Sequence, residues 1–342
     1  MFKPKYSITN KLLANIKRIN QLVNELNLHH FPHVVLVELQ RNAEEISTYA
    51  STSIEGNPLP LTDVKKILKT RPQNIRESEQ EVLNYNEILK EINVKLNQKM
   101  IFFTVDFILF IQKKVTHKLL PPFHSGQFRR DAVFVNDPRS QKTIYWPPDH
   151  KDVLKLVEDL VGFVKSNKNI IDPLILAGIF HKQMVIIHPF MDGNGRTTRL
   201  ATKILLAEMG LNTFNLFSFE NYYNKNVTKY FEKIGVRGNY YDIYSTIDFT
   251  LWLEYFTDGI IDELLRVEKN LPQQAISPKT QLQPYLLKIL EFIKQKGFIT
   301  DHDYSKLVKR ARATRHLDFK KLIGLGLIVM KGKSKASYYT FK

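Results

Sequence analysis

His188-Pro-Phe-Met-Asp-Gly-Asn-Gly-Arg-Thr-Thr-Arg199 is the stretch around which the rest of the chain has to be arranged. It follows one apolar segment, Asp172 to Ile187, and precedes another, Leu200 to Met209, both with helical spacing. Leu200, Ile204 and Leu205, with Gly210 as a stop, predict a helix beginning near Arg196. The stretch therefore reads as a loop entering a helix N-terminus, where free backbone N–H groups and the helix dipole favour an anion. Gly193 and Gly195 allow close approach of a phosphate, with no Cβ in the way. Arg196 and Arg199 lie on one helix face and could grip neighbouring phosphates. His188 offers a proton acceptor and Asp192 a ligand for a hard cation. Singly, these are a packed histidine, an ordinary turn and a solvated arginine face. Their order is what points to an anionic nucleotide.

Outward from this loop, helical spacing recurs. Residues 10–50 carry it through Leu12, Leu13, Ile16, Ile19, Leu22 and Val23, with a break at His29-His30-Phe31-Pro32-His33. Leu61-Thr62-Asp63 reads as a cap before Val64 to Leu68. Further helices are predicted at Glu77 to Leu96, Thr104 to Leu120 (ended by Pro121-Pro122), Asp149 to Lys165 and Asn224 to Ile234. Ala132 to Val135 and Thr143-Ile144-Tyr145-Trp146 are β-type runs joined by a turn-rich segment, which predicts a short hairpin. A polar, Pro-containing linker, Leu271 to Gln281, comes next. Beyond it, three helical patterns (Tyr285 to Lys296, Asp301 to Lys309, Ala311 to Leu322) precede a hairpin of Leu327 to Met330 and Tyr338 to Phe341. That order describes a winged helix-turn-helix.

The chain has 342 residues, 43% hydrophobic and 25% charged, enough for two or three domains with a sizeable core. It has no cysteine, which excludes disulfides, thiolate zinc sites and cysteine nucleophiles. His181 and His188 stand seven apart without a third ligand, and His29, His30 and His33 read as a surface loop, so no zinc site is expected. No P-loop or nucleophile-elbow serine pattern is present. No apolar run approaches the roughly 20 residues of a membrane span, and a cytoplasmic location is expected. Net charge is +16, but residues 279–342 hold 15 Lys or Arg against 4 Asp or Glu. Such a basic end suits an anionic partner. As a winged helix it would place Arg312, Arg315 and Lys320 near a DNA major groove and Lys333 and Lys335 on the wing. Protein docking or dimerisation is the alternative use.

The 188–199 stretch matches the Fic motif, His-x-Phe-x-Asp/Glu-Gly-Asn-Gly-Arg-x-x-Arg, at every specified position, and the chain resembles that family over roughly residues 35–265. The resemblance implies a mainly α fold with an N-terminal helical region (1–100) and a Fic core with a hairpin flap (101–265); the linker (266–277) and the winged helix (278–342) rest on the patterns described above. It implies a protein adenylyltransferase, moving AMP from ATP to a Ser, Thr or Tyr hydroxyl of a target protein or of itself. His188 would be the general base and Asp192 would hold Mg²⁺. Gly193, Asn194 and Gly195 would form the anion hole, Arg196 and Arg199 would bind phosphates, and Phe190 would anchor the loop. Gly195 stands where the kinase-like toxin branch has Lys, which favours AMP transfer. Ser51-Thr-Ser-Ile-Glu55-Gly56 fits the family's inhibitory pattern, with Glu55 pairing to Arg199, and Glu55 could also orient a water that removes AMP. Thr143, Ile144 and Tyr145 would be flap residues that hold a target strand. Tyr230 falls where relatives carry a Tyr-Tyr pair beside the adenine, although here the second is Phe231. The closing helix of the family is matched by Asp248 to Phe256. Relatives also form homodimers. The competing reading is a nucleotide-sensing transcription regulator acting through the winged helix.

Overall fold

In the computed structural model, the described residues are 2–28, 33–98, 103–137, 140, 142–208, 216, 218–275, 282–325, 327–332 and 337–341. The chain divides into two compact units: Met1–Leu28 with Ala43–Arg266, and His29–Asn42 with Val267–Lys342.

The first unit is organised by the helix that ends at His188. Pro173–Ile187 is apolar on all sides, and every residue except Pro173 and Val185 is buried, as expected of a helix surrounded by others. Asp172 caps it by accepting from the Leu174 N–H at 2.9 Å. Numbered in chain order, the helices before it are α1 (Asn10–Leu28), α2 (His33–Ile54), α3 (Leu61–Thr70), α4 (Glu77–Asn97), α5 (Val105–Val115) and α6 (His150–Asn167). The central helix is α7, and α8 (Asn194–Glu208) follows the motif loop. α7 packs on α6 and α8, and α8 on α4 and α5. Because α4 joins this core directly, the N-terminal helices share the core rather than forming a region that stops at residue 100. Next come α9 (Phe219–Lys225), α10 (Val227–Ile234), α11 (Tyr240–Ile243) and α12 (Thr250–Ala275). The Trp252 indole N–H donates to the Gly178 carbonyl at 2.8 Å. A Cβ on Gly178 would lie 2.6 Å from Leu253, so this close helix approach requires glycine.

Several boundaries differ from the sequence reading. α5 stops at Val115, because Leu119 and Leu120 hydrogen-bond back to Thr116 and Lys118 turns to φ 60 before the prolines. α8 begins two residues earlier than expected, at Asn194. The predicted helix from Asn224 is split at Asn226, whose side chain caps α10 by accepting from the Lys229 N–H. His33 opens α2 instead of lying in a loop, while His29 and His30 fall outside the described residues. The expected linker is helical through Ala275, since Gln273, Gln274 and Ala275 extend a helix already nucleated. Residues 276–281 lie outside the described residues.

The hairpin is smaller and has a third strand. β1 (Val135–Asn136) pairs antiparallel with β2 (Thr143–Trp146), with Val135 opposite Tyr145 and Asn136 opposite Thr143 across a bulge. On its other side, Tyr145 and Trp146 pair in parallel with β3 (Gly238–Asn239). β2 is thus the middle strand of this small sheet.

In the second unit, α13 (Pro284–Lys296), α14 (Asp301–Leu307) and α15 (Arg312–Gly324) precede the antiparallel strands β4 (Ile328–Lys331) and β5 (Tyr338–Phe341). Leu286, Ile289, Ile293, Tyr304, Phe319, Leu322 and Tyr339 form its core. Phe319 stacks on Tyr339 with ring centres 3.9 Å apart. Among the described residues, no helix is long and apolar enough to cross a membrane.

Candidate active site

α7 ends at His188 because that residue turns to the left-handed region (φ 49, ψ 59) while its N–H still donates to Met184. The ring Nδ1 lies 3.3 Å from the Val185 carbonyl. A carbonyl only accepts, so this contact selects the Nδ1–H tautomer and leaves the lone pair on Nε2. Burial is the main influence holding the imidazole pKa below its usual range, so the ring stays neutral. Arg129 braces this turn from the segment that leads to the flap. Its guanidinium donates to the carbonyls of His188 (2.8 Å), Asp131 (3.1 Å) and Pro148, and its backbone N–H to Pro189 at 3.0 Å.

The loop after His188 is closed from inside. Asn194 Oδ1 accepts from the Phe190 N–H at 2.9 Å and Nδ2 donates to the Phe190 carbonyl at 2.8 Å. Its side chain is therefore spent on shaping the loop, which leaves its backbone N–H at the start of α8 as what it can offer an anion. Phe190 is fully buried and stacks on Phe128 at 5.8 Å, in keeping with an anchor. Gly193 sits at φ +78, and a Cβ there would meet Thr116 at 3.0 Å.

Each motif arginine meets a carboxylate. Arg199 is 0% exposed; its Nε donates to Ser51 Oγ (2.8 Å), and its Nη2 to the Ser51 carbonyl (2.8 Å) and to Glu55 Oε1 (2.7 Å). Burial, the largest single influence, would lower its pKa, but Glu55 together with Tyr230 and Tyr85 makes the net direction upward. Its Nη1 is buried without a partner. Glu55 stands just past the end of α2, where its N–H and that of Gly56 (φ +94) fold back onto Thr52 and Ser53. A Cβ on Gly195 would lie 2.1 Å from Glu55 Oε1, so the acid occupies the space above the helix N-terminus. Arg196 is also buried: Nη2 meets Asp192 Oδ2 at 2.8 Å and Nη1 meets Glu81 Oε1 at 2.6 Å. Asp192 is half-exposed, with its side chain at 48%.

One turn further along both helices lies a second polar layer. Lys203 Nζ reaches Glu220 at 3.1 Å and Ser47 Oγ at 2.6 Å, and Glu220 also accepts from Tyr85 at 3.0 Å and Ser218 at 2.8 Å. Sequence reading passed over Glu81, Arg129 and this layer. The layer has a signal: Ser47 and Ser51 on α2 and Glu55 just beyond it recur every fourth residue, as Arg199 and Lys203 do on α8.

Other expected residues fall elsewhere. Tyr230 is 2% exposed, stacked on Tyr223 at 4.6 Å, with its hydroxyl 3.3 Å from His181 Nε2. Burial pushes its phenol up to about 12. The aromatic cluster around His181 claims its ring, so no open face is left for a base. In β2, Tyr145 is an anchor whose hydroxyl donates to the Ile186 carbonyl at 2.8 Å. Thr143 hydrogen-bonds Asn136 at 2.8 Å, and with Ile144 it keeps the edge that β3 leaves uncovered. Arg315 is tied to both oxygens of Asp301 at 2.8 Å and to the Arg310 carbonyl, which removes it from an outward-facing set. Arg312 is exposed, and Lys333 and Lys335 lie outside the described residues.

Residues 102–206 match the Fic/DOC family. The chain is similar to "Protein adenylyltransferase Fic" of Nematostella vectensis, 34% identical over 166 residues, covering 47% of this chain and 37% of that protein. It is also similar to the protein of that name from Aedes aegypti, 31% identical over 218 residues, covering 58% and 42%. The chain thus spans about two fifths of the length of these curated relatives. Its fold is like that of a Fic family protein from Desulfovibrio desulfuricans, with a TM-score of 0.66, 20% identity, and coverage of 100% of this chain and 98% of the other. Fic-1 from C. elegans gives a TM-score of 0.59 at 21% identity, covering 77% and 73%. Motif, fold and relatives agree that the chain carries a Fic-family domain.

Proposed function

We propose that the protein is a protein adenylyltransferase that moves AMP from ATP to a Ser, Thr or Tyr hydroxyl of a target protein, with release of pyrophosphate, and that Glu55 restrains it. One observation carries this reading above the others: the acid beyond α2 sits 2.7 Å from the second motif arginine, over the helix N-terminus that follows His188. A triphosphate arriving there needs both the anion-binding backbone and Arg199, and Glu55 competes for both. The curated relatives named above bear the name of the same activity.

The chemistry asked of the chain is modest. His188 Nε2 takes the proton of the hydroxyl as its oxygen attacks the α-phosphorus, and the bond to pyrophosphate breaks. Arg196, Arg199 and the N-terminal amides of α8 hold the phosphates and offset their charge. Asp192 fits a cation ligand: it is half-exposed, and Mg²⁺ is commonly held by one or two carboxylates together with substrate phosphates. When bound, Mg²⁺ would offset charge on the phosphate oxygens. It has reason to be needed, since Glu55, Glu81 and Asp192 already outnumber the two arginines. Thr143 and Ile144 are proposed to hold the target backbone along the open edge of β2.

The test is incorporation of labelled AMP by the Glu55→Gly variant on itself and on lysate proteins, with Glu55→Gly/His188→Ala as control. Incorporation that requires His188 supports the proposal, and none with ATP, Mg²⁺ and target-rich extract refutes it. For the basic second unit we propose an anionic partner, duplex DNA, met by the exposed Arg312, His316 and Lys320 of α15. A salt-dependent mobility shift of labelled duplex by the full chain, weakened by Arg312→Ala with Lys320→Ala, checks it.

A further inference from the structure

Glu81 takes no part in the motif, yet it touches its machinery directly. It lies on α4, far in sequence from Arg196, and its Oε1 is 2.6 Å from Arg196 Nη1. Its other oxygen accepts from Asn57 Nδ2 at 2.6 Å, and Asn57 also donates to the Ser78 carbonyl at 2.9 Å. Asn57 in turn accepts from the Leu59 N–H at 3.1 Å, so its amide is fixed from both ends. Glu81 is thus a carboxylate with one oxygen held by a rigid amide and the other aimed at the guanidinium. Asp192, the other partner of Arg196, is on the loop and half-exposed.

The two carboxylates have different prospects when nucleotide enters. Asp192 is the residue proposed to turn to the cation, and a carboxylate pulled toward a cation weakens its hydrogen bond to arginine. Arg196 Nε is already buried without a partner, so the guanidinium would then be held only at Nη1. We propose that Glu81 is a positioning residue: it keeps the Arg196 guanidinium aimed at the phosphates while Asp192 is engaged elsewhere. Asn57, two residues past Glu55, holds the far side of Glu81, so the segment that carries the inhibitory acid also braces the phosphate-binding arginine.

This inference rests on the adenylyltransferase reading, and its test is arranged so that the two can fail separately. Glu55→Gly is compared with Glu55→Gly/Glu81→Gln and Glu55→Gly/Glu81→Asp. Mg·ATP binding is measured by calorimetry, and KM for ATP and kcat by labelled AMP transfer. Glutamine keeps the shape but has a single acceptor oxygen, so it can accept from Asn57 or from Arg196 and not from both, and it carries no charge, whereas aspartate keeps the charge and both acceptors on a shorter arm. The expected result is a roughly ten-fold weaker Kd and higher KM in the Gln variant, with kcat changed much less and with partial recovery in the Asp variant. A purely structural role would lower the melting temperature and leave the Kd of the folded protein unchanged. That result, or tighter ATP binding in the Gln variant, overturns the inference, the second because it would make Glu81 a competitor of the phosphates. If Glu55→Gly binds Mg·ATP but transfers no AMP, the reaction is refuted while the binding comparison still tests Glu81.

Discussion

Replacing Glu55 with Gly should make the protein more active and less stable at the same time. The contact removed is one charged hydrogen bond, 2.7 Å long, between a fully buried guanidinium and a side chain that is 29% exposed. Charged hydrogen bonds contribute about 1.5–3 kcal/mol, and the partial exposure of Glu55 places this one toward the lower end, about 2 kcal/mol. Arg199 keeps both bonds to Ser51, so it is not left stranded and the helix should stay docked. At about 1.4 kcal/mol per decade, removing this competition should tighten productive ATP binding by roughly 30-fold. The same loss should lower the melting temperature by a few degrees. Mg·ATP should then restore it, because ligand that binds only the folded state stabilises by mass action. The assay pairs initial rates of labelled AMP incorporation with melting curves, each with and without Mg·ATP, for the wild type, Glu55→Gly and Glu55→Gly/His188→Ala. If Glu55→Gly melts as the wild type does and gains no more from Mg·ATP, the acid does not compete with the phosphates.

Gly195→Ala places a Cβ where the Glu55 carboxylate now lies, so Glu55 must leave Arg199. In a double-mutant cycle read by melting, Glu55→Gly should then cost about 2 kcal/mol in the wild-type background and nearly nothing in the Gly195→Ala background. His181, fully buried, and His188 both have pKa values lowered chiefly by burial. Below about 6.5 the unfolded chain takes up protons that the folded one refuses, so stability falls as pH drops from there, and His181→Gln should flatten that acid limb in melting curves. AMP transfer by Glu55→Gly should stay base-competent at neutral pH and decline only below about 6.5, as His188 becomes protonated. Lys182 is buried, which lowers its ammonium pKa to about 8 from the ordinary 10.5. That difference corresponds to a destabilisation of about 3 kcal/mol, present in full below about pH 8 and gone above about 10.5. Lys182→Met should therefore raise the melting temperature at pH 7 and lose the advantage at high pH.

The sequence carried the parts of this fold that depend on local pattern. In α1, Leu12, Ile16, Ile19, Leu22 and Val23 are buried as their spacing requires, whereas Leu13, read into the same stripe, is exposed, and the apolar run from Leu174 becomes the central helix. His188, the glycines and the arginines sit together because twelve consecutive residues bring them together. Ser51 and Glu55 reach Arg199 from one face of α2 and the turn beyond it, one helical turn apart. What stayed hidden depends on distant partners. Glu81, Arg129 and Glu220 look like ordinary charged residues in their own segments, and only tertiary packing sets them against Arg196, His188 and Lys203. β3 is two residues long and contains a glycine, too short for alternation to show. Position in the chain places Tyr230 beside an adenine, but the rings of Tyr223, Trp252 and His181 absorb it. The sequence places Arg315 toward a major groove with Arg312 and Lys320 because it does not show that Asp301 lies within its reach.

The Lys203–Glu220–Ser47 layer has a mechanical consequence. Pulling the end of α2 away from α8 would break the Ser47 contacts to Lys203 and Glu220 and open that ion pair, now held out of water, to solvent. Ser47 thus holds α2 about two turns behind its last residue and Ser51 about one turn behind it, while Glu55 lies beyond the helix end. If Glu55 restrains the protein as proposed, its release needs only rotation about a few carbon–carbon bonds, and the contact with Arg199 would re-form once nucleotide leaves. Its response should follow side-chain rotation, without waiting for any part of the scaffold to unfold.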